Sequence, residues 1–264
     1  EVVIREMEHL YDMHCHLGSM PNADQVAKRA EQLGLVLLNV TVSPTDANGS
    51  ARLDHHANVR AACGLHPWWI ANGACGEEDV ARAALMCAAS RFVGEIGLDF
   101  SGDRMATAPQ QQEAFDWIIQ SCAEHPVTGR VISIHAVRAA SEALDTLQRF
   151  DMPHNSTCIF HWFSGTSDEL ARARALGCYF SVNARMLATK RGREYARQIP
   201  LDKLLLETDA PKKLGDPGDA QALAGELTQT LDMLDDIRIE RKELLAGSIA
   251  QTSQELLGYS RRGA

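Results

Sequence analysis

The stretch from residue 34 to residue 42 reads Gly34-Leu35-Val36-Leu37-Leu38-Asn39-Val40-Thr41-Val42, and Ser43-Pro44 follows it. A nearly continuous apolar run of this kind is typical of a strand that is buried on both faces, as in a parallel sheet. The segment before it, 21–33, is predicted as a helix. This order, helix then buried strand, recurs along the chain and points to the α/β class.

Seven further strand-like runs surround this one. The eight predicted strands are 11–16, 34–42, 61–67, 91–96, 130–135, 157–161, 177–182 and 201–208, and the main predicted helices are 21–33, 77–90, 110–124, 138–150, 168–176 and 219–257. Eight buried strands alternating with helices predict a (β/α)8 TIM barrel of one domain over residues 1–264. A dinucleotide-binding doubly wound sheet would need a Gly-rich turn after its first strand, and the sequence has none there.

The composition narrows the class of protein. The chain of 264 residues is 45% hydrophobic with a net charge of −9, which argues against coating duplex nucleic acid by charge alone but is compatible with a nuclease. No apolar run approaches the roughly 18–20 residues that span a bilayer, and residues 1–6 do not resemble a signal peptide. Seven cysteines without a CxxC pair favour reduced thiols and a cytoplasmic protein.

Imidazole and carboxylate side chains cluster at the carboxyl ends of the predicted strands. The first strand holds Asp12-Met13-His14-Cys15-His16, in which alternate residues are expected to face the same side. The other residues of this kind are His66, Glu95, His135, His161 and Asp209. In a barrel these strand ends meet at one rim, where active sites lie. We therefore predict a single cluster there.

The chemistry of these side chains predicts a metal site. Nitrogen and oxygen ligands without thiolates suit zinc, manganese, magnesium, iron or nickel. This number of candidate ligands exceeds what one zinc ion takes when it keeps an open position for water. We therefore predict two divalent metal ions, Zn, Mg or Mn, with one bridging carboxylate. Such centres hydrolyse phosphate esters or amides.

Five motifs resemble those of the TatD family, metal-dependent deoxyribonucleases within the amidohydrolase-like barrels. They are Asp12-Met13-His14-Cys15-His16, Gly64-Leu65-His66-Pro67, Gly94-Glu95-Ile96-Gly97-Leu98-Asp99, His161-Trp162-Phe163-Ser164-Gly165 and Glu207-Thr208-Asp209-Ala210-Pro211. The resemblance implies a cytoplasmic DNase, often a 3′ to 5′ exonuclease on single-stranded DNA. It implies one metal ion at His14, His16, Glu95 and Asp209. It implies a second at Glu95, His135 and His161.

Some segments depart from the family pattern. TatD proteins usually carry His-Ser-Arg after strand five, whereas this chain has His135-Ala136-Val137-Arg138, which displaces the arginine by one residue. Lys212 replaces the usual aromatic residue after the ETDAP motif, and the next loop lacks the family's Arg-Asn-x-Pro stretch. The chain is more similar to a divergent branch, the TatD-like component of the bacterial Qat anti-phage defence system. That similarity implies antiviral defence and protein partners from a defence operon.

We predict roles for the rim residues. Asp209 helps to deprotonate the attacking water, Glu95 bridges the ions, and His66 stabilises charge on the phosphoryl oxygens. Asp12 is predicted to orient a metal-bound imidazole. Glu207 is predicted to act likewise, with a rim carboxylate of no role as the alternative.

Substrate contacts are predicted at His66, Arg138, Trp68, Lys190 and Arg191. Phosphate sites in barrels often use the loops after the last two strands, although a run of charges is also typical of a solvated surface. Trp68 could stack on unpaired bases or simply cover the barrel mouth. The expected partner is single-stranded DNA, with no membrane.

Two other functions fit the same residues. One is an amidohydrolase-type hydrolase of a small-molecule, ester or amide substrate, because the barrel fold does not fix the substrate. Many such enzymes carry a carboxylated lysine at the end of strand four, where this chain has Glu95. The other is a subunit that is active only within a larger defence assembly, which the displaced Arg138 and the altered loop after Pro211 allow.

Overall fold

A computed structural model describes residues 9–259 of the chain. The predicted domain, 1–264, therefore has its first eight and last five residues outside the described part. The strands are β1 (Leu10–Cys15), β2 (Leu35–Asn39), β3 (Val59–Ala61), β4 (Cys63–Leu65), β5 (Phe92–Asp99), β6 (Val131–Val137), β7 (Thr157–His161), β8 (Tyr179–Val182) and β9 (Leu204–Leu206). The third predicted strand is thus split into β3 and β4. The break falls at Ala62, whose N–H donates to the carbonyl of Asn39 at 2.8 Å.

The paired strands are all parallel and follow one another in chain order. β1, β2 and β3 form one run of the sheet, and β4 to β9 form the other. Thr41, just beyond β2, connects the two runs. Its N–H donates to the carbonyl of Gly94, and its own carbonyl accepts from the N–H of Glu95, both at 2.9 Å.

Two hydrogen bonds link the segment after β9 to β1 and to the residue that follows β1. The N–H of Asp209 donates to the carbonyl of His14 at 2.9 Å, and the N–H of His16 donates to the carbonyl of Ala210 at 2.7 Å. The sheet therefore closes on itself, with β3 and β4 acting as one barrel strand. The predicted (β/α)8 TIM barrel is confirmed.

Helices cover the outside of the barrel. They are α1 (Ala23–Gln32), α2 (Pro44–Ser50), α3 (Pro67–Ala71), α4 (Glu77–Ala89), α5 (Ala108–Glu124), α6 (Ala140–Arg149), α7 (Met152–Asn155), α8 (Ser167–Ala175), α9 (Ala184–Leu187), α10 (Lys190–Gln198), α11 (Ala220–Ile237) and α12 (Lys242–Leu257). The predicted helical segment 219–257 is therefore two helices. Arg238 is extended between them, and its guanidinium donates to the carbonyls of Ala196 and Ile199. Within residues 9–259, no helix has the length and apolar character needed to cross a membrane.

The apolar residues of β2 pack in two directions, which explains why the whole run is buried. Leu35 and Leu37 join the large cluster between sheet and helices. Val36 and Leu38 join a second cluster that also contains side chains from β1, β6, β7 and β9, and Leu257 from α12. Because side chains alternate along a strand, this second cluster fills the barrel interior. Both faces of the strand are therefore covered, as predicted.

Candidate metal centre

Glu95, on β5, lies at the middle of the strand-end cluster. Its side chain is 1% exposed, and ring nitrogens of five histidines lie 2.8–3.3 Å from its two oxygens. Gly97 allows β5 and β6 to approach here, because a Cβ at this position would overlap the carbonyl oxygen of His135. Its φ of +144° also favours glycine. Local sequence thus brings Glu95 and His135 together.

One oxygen of Glu95 faces the histidines at the end of β1. Oε2 lies 3.3 Å from Nε2 of His14 and 3.2 Å from Nε2 of His16. Oδ1 of Asp209, which follows β9, lies 3.7 and 3.6 Å from the same two nitrogens. Ligands of one zinc-sized ion lie about 2 Å from it, so atoms at these separations can share one ion.

The other oxygen of Glu95 faces three different histidines. Oε1 lies 2.8 Å from Nδ1 of His135, 2.9 Å from Nε2 of His161 and 3.2 Å from Nε2 of His66. The two groups of side chains share Glu95 alone. The structure thus brings together every imidazole and carboxylate that the sequence places at the predicted rim. Their individual roles stay predictions.

Neighbouring groups fix the orientation of the rings. Nδ1 of His14 lies 2.7 Å from Oγ of Ser133, and Nδ1 of His66 accepts the N–H of Trp68 at 3.0 Å. Because His66 accepts through Nδ1, a neutral ring carries its proton on Nε2, which faces the centre. Ser133 is a residue that the sequence reasoning missed. Its spacing of two from His135 on one strand is the signal that could have found it.

Asp12 does not orient an imidazole, and that prediction is wrong. Its Oδ1 accepts the main-chain N–H groups of His14 at 3.2 Å and Thr208 at 3.0 Å, and its Oδ2 accepts the Thr208 hydroxyl at 2.5 Å. The reason is a register irregularity of β1 between Asp12 and Cys15, which breaks the simple alternation. Burial raises the pKa of Asp12 to about 7. Asp12 therefore joins β1 to the segment after β9.

Glu207 contacts a ring of the centre as predicted. Oε1 lies 3.5 Å from Nδ1 of His161, and the carboxylate also accepts from the hydroxyl of Ser181 and from Nδ2 of Asn183. Its side chain is fully buried. Nδ1 of His161 makes no hydrogen bond, so the orienting role of Glu207 stays a prediction.

Asp99, at the end of β5, is a second residue that the sequence reasoning did not assign. Its Oδ2 lies 3.3 Å from Nε2 of His135 and accepts Nε1–H of Trp68 at 2.6 Å. Its Oδ1 accepts the N–H of Ser101 at 2.9 Å. The signal was available, because Asp99 closes the Gly94–Asp99 motif at a strand end. It links the centre to the wall of the cavity above.

Burial and neighbouring charges compete at the centre. Burial favours the neutral form of Glu95, but the surrounding histidines outweigh it and hold the pKa of Glu95 well below its ordinary value. Burial lowers the pKa of His66 to about 4. At His16 burial also acts to lower the pKa, but hydrogen bonds to Asp209 and Glu95 raise it to about 9. An ionised carboxylate at the middle attracts cations.

A cavity of 660 Å³ opens over the centre. Of the predicted substrate-binding residues, His66 and Trp68 line it. Arg138, Lys190 and Arg191 are exposed and do not line it. The cavity is also lined by Trp69, Trp162, Lys212 and Lys213. The cationic lining therefore comes from the loop after β9.

The residues fit a bound divalent cation. The donors are imidazole nitrogens and carboxylate oxygens, which such ions prefer. Nε2 of His14 is completely buried, makes no hydrogen bond, and lies near oxygens of Glu95 and Asp209. A buried ring nitrogen without a partner is unusual, and coordination to a cation would satisfy it. The group His14, His16 and Glu95 could hold one ion. On the other side of Glu95, Nδ1 of His135 and Nε2 of His161 lie 2.8 and 2.9 Å from Oε1 and could hold another.

Comparisons with known proteins point the same way. The profile of the family described as TatD related DNase matches residues 11–258. A 3′-5′ ssDNA/RNA exonuclease TatD of Edwardsiella piscicida is 32% identical over 216 residues, which cover 77% of each chain. The uncharacterized metal-dependent hydrolase YjjV of Escherichia coli K12 is 30% identical over 215 residues, covering 76% of this chain and 78% of that one.

A solved structure shares the fold. The crystal structure of YjjV, the TatD homologue from Escherichia coli K12, superposes with a TM-score of 0.78 at 24% identity, covering 95% of this chain and 98% of that one. The barrel and its centre, together with the family match, therefore define a metal-dependent hydrolase. Within that class, the chain belongs to the TatD family of DNases.

Proposed function

We propose that this protein hydrolyses the phosphodiester bonds of single-stranded DNA at a centre of two divalent metal ions. In this proposal one ion is held by His14, His16, Glu95 and Asp209, and the second by Glu95, His135 and His161. A 3′ to 5′ direction of attack is proposed because relatives such as the Edwardsiella piscicida protein are named 3′-5′ ssDNA/RNA exonucleases.

The observation that carries the proposal is the position of Glu95. Its two oxygens face two separate sets of ring nitrogens, with His14 and His16 on one side and His135 and His161 on the other. A carboxylate placed in this way is suited to bridge two ions. The choice between zinc, magnesium and manganese is left to metal analysis, because imidazole and carboxylate ligands accept all three.

The residues around the cavity supply the other parts of the reaction. Divalent ions bound here would lower the pKa of a bound water and offset negative charge on the phosphate. Asp209 accepts the proton of the attacking water. The water oxygen then forms a bond to phosphorus, the opposite P–O bond breaks, and the leaving oxygen takes up a proton from solvent. His66 donates from Nε2 to a phosphoryl oxygen, since its Nδ1 already accepts from Trp68.

The replacement Asp209→Asn tests the proposal. It removes the proton acceptor and one ligand oxygen, so we expect metal-dependent cleavage of labelled single-stranded DNA to fall by at least about a thousandfold. The circular dichroism spectrum and melting temperature should stay close to those of the parent. Asp235→Asn, an exposed position on α11, is the matched control and should keep full activity. Full activity in Asp209→Asn would refute the assignment.

A substrate panel separates this function from the alternatives. Single-stranded DNA, duplex DNA, RNA, and ester and amide compounds are incubated with the purified chain at defined metal content. Turnover of esters or amides alone would favour an amidohydrolase-type function. Cleavage that begins only after addition of partner proteins would favour a conditional subunit.

We also propose a cytoplasmic role in anti-phage defence, from the motif similarity described above. Cells that carry the intact operon should resist phage, and cells with Asp209→Asn in this chain should lose that resistance. Equal plaque counts for the two would contradict the defence role without affecting the nuclease proposal.

A further inference from the structure

Two tryptophans at the cavity wall each have an arginine against the ring. Cζ of Arg104 lies 4.2 Å from the ring centre of Trp68, and Cζ of Arg185 lies 4.3 Å from that of Trp162. Both tryptophans line the cavity, and neither arginine does. Each indole is therefore in contact with an arginine that stands outside the cavity, while the indole itself forms part of the cavity lining.

Trp68 is fixed by a hydrogen bond that leads to the metal centre. Its Nε1–H donates to Asp99 at 2.6 Å, and the same carboxylate oxygen lies 3.3 Å from Nε2 of His135. The indole is still 41% exposed. A large aromatic side chain that is exposed but held in place is suited to stack on a flat ligand.

Trp162 is fixed on the other side. It directly follows His161 and has a φ of +40°, which is rare for a bulky residue and frequent at functional sites. Its partner Arg185 donates from Nη2 to the carbonyl of Thr208 at 2.9 Å and lies 3.2 Å from Oδ2 of Asp209. The indole is thus connected to two residues of the centre, to His161 along the chain and to Asp209 through Arg185.

The two indoles lie on different sides of the centre. Trp68 follows β4 and Trp162 follows β7, and the strands between them in the sheet, β5 and β6, carry Glu95 and His135. A nucleic-acid strand that runs over the centre from one indole to the other would place the phosphate between its two bases over Glu95. The lysines that line the same cavity, Lys212 and Lys213, add positive charge for the backbone.

We propose that Trp68 and Trp162 bind the two nucleobases on either side of the phosphate that is cleaved. This inference rests on the proposed function and adds how the site recognises a single strand, through two consecutive unpaired bases. Stacking on aromatic side chains tolerates any base sequence. Bases inside a duplex are already stacked and paired, so they cannot reach both indoles at once.

Abasic oligonucleotides combined with tryptophan variants test this inference. The substrates are 5′-labelled single strands that carry a base or an abasic residue on one or the other side of the first cleaved bond. For the parent chain, we expect removal of either base to lower kcat/KM roughly tenfold or more, mainly through KM. Trp68→Ala and Trp162→Ala should each lose a similar factor on the normal strand. Each variant should lose little more when the base that it stacks on is absent.

The controls separate stacking from damage to the fold. Trp162→Phe keeps an aromatic ring and should recover most of the activity. Trp117→Ala, at an exposed position on α5 outside the cavity, should behave as the parent. The opposite result is that, at both positions, the reduction in kcat/KM from the tryptophan variant and the reduction from the abasic residue multiply when they are combined. If they multiply while the parent still cleaves DNA, the inference is wrong. If the parent cleaves no oligonucleotide with any metal, the proposed function itself fails.

Discussion

Side chains that are distant in the sequence lie against the second ring nitrogens of two histidines at the centre. Ser133 contacts the ring of His14, and Glu207 lies beside that of His161. The histidines themselves could be predicted, because strand ends of a parallel barrel meet at one rim. For Ser133 the only signal is its spacing of two from His135, and this signal is weak because a serine within a strand is common. Asp12 was mispredicted because the irregularity in β1 is set by its pairing with β2.

Ser133→Ala should weaken metal binding without unfolding the protein. The change leaves Nδ1 of His14 without its partner at 2.7 Å, so the ring is less well oriented. Losing such a contact to a ligand typically costs about 10–100-fold in metal affinity. Competition with a chromogenic chelator measures the affinity directly. Ser121→Ala on α5 is the control, and equal affinities for the two variants would contradict the role of Ser133.

The strands that are buried on both faces were predicted best, because burial on both faces gives a continuous apolar run in the sequence. The apolar run of β2 is one example, since its residues alternate between two apolar clusters. The split of the third strand and the break between α11 and α12 were not predictable. They depend on contacts with distant residues, Ala62 with Asn39 and Arg238 with Ala196. Local sequence carries little information about such partners.

The start of α8 is joined to the start of α6 by one carboxylate. Oε1 of Glu169 accepts the N–H of Ser141 at 3.0 Å and its hydroxyl at 2.6 Å, and Oε2 accepts the N–H of Thr166 at 2.7 Å. Burial opposes ionisation, but these hydrogen bonds together outweigh it and lower the pKa of Glu169 below its ordinary value. The ionised form therefore stabilises the folded state.

Glu169→Gln should lower the free energy of unfolding by about 1 kcal/mol at pH 7. Because the pKa of Glu169 is lower in the folded state, its stabilising effect is present above the ordinary pKa of 4.5 and is lost as the pH falls through the folded value. The difference between parent and variant should thus shrink below about pH 4.5 in urea unfolding. Glu142→Gln, exposed on α6, should show no such pH dependence. A constant difference down to pH 3 would contradict the argument.

For the molecule as a whole, the net charge of −9 has the same sign as the charge of the expected DNA substrate. The described residues bring two lysines, Lys212 and Lys213, to the cavity wall. Lys190 and Arg191 lie in the first turn of α10, outside the cavity. Binding of a nucleic acid should therefore be local to the rim, with few phosphates neutralised by protein side chains.

Salt dependence checks this expectation. If two phosphates are neutralised, the logarithm of the affinity for single-stranded DNA should fall against the logarithm of the salt concentration with a slope of about −1.4. The Asp209→Asn chain without added metal allows the measurement by fluorescence anisotropy. Replacing Lys190 and Arg191 together by Met should leave the slope unchanged. A slope steeper than about −4 would contradict the expectation if replacing Lys190 and Arg191 made it shallower. That result would show that the basic residues of α10 also bind phosphates.

The packing of Leu257 inside the barrel has a consequence for biosynthesis. This side chain, from α12, belongs to the same interior cluster as Tyr11 and Leu205, and Arg60 bonds to its carbonyl at 3.3 Å. A ribosome makes α12 after every strand and every predicted ligand. The interior cluster that contains Leu257 is therefore the last part of the barrel to assemble. A nascent chain that ends before Leu257 contains every predicted metal ligand, but its barrel interior is incompletely packed. Cleaving activity should then appear only once synthesis has passed residue 257.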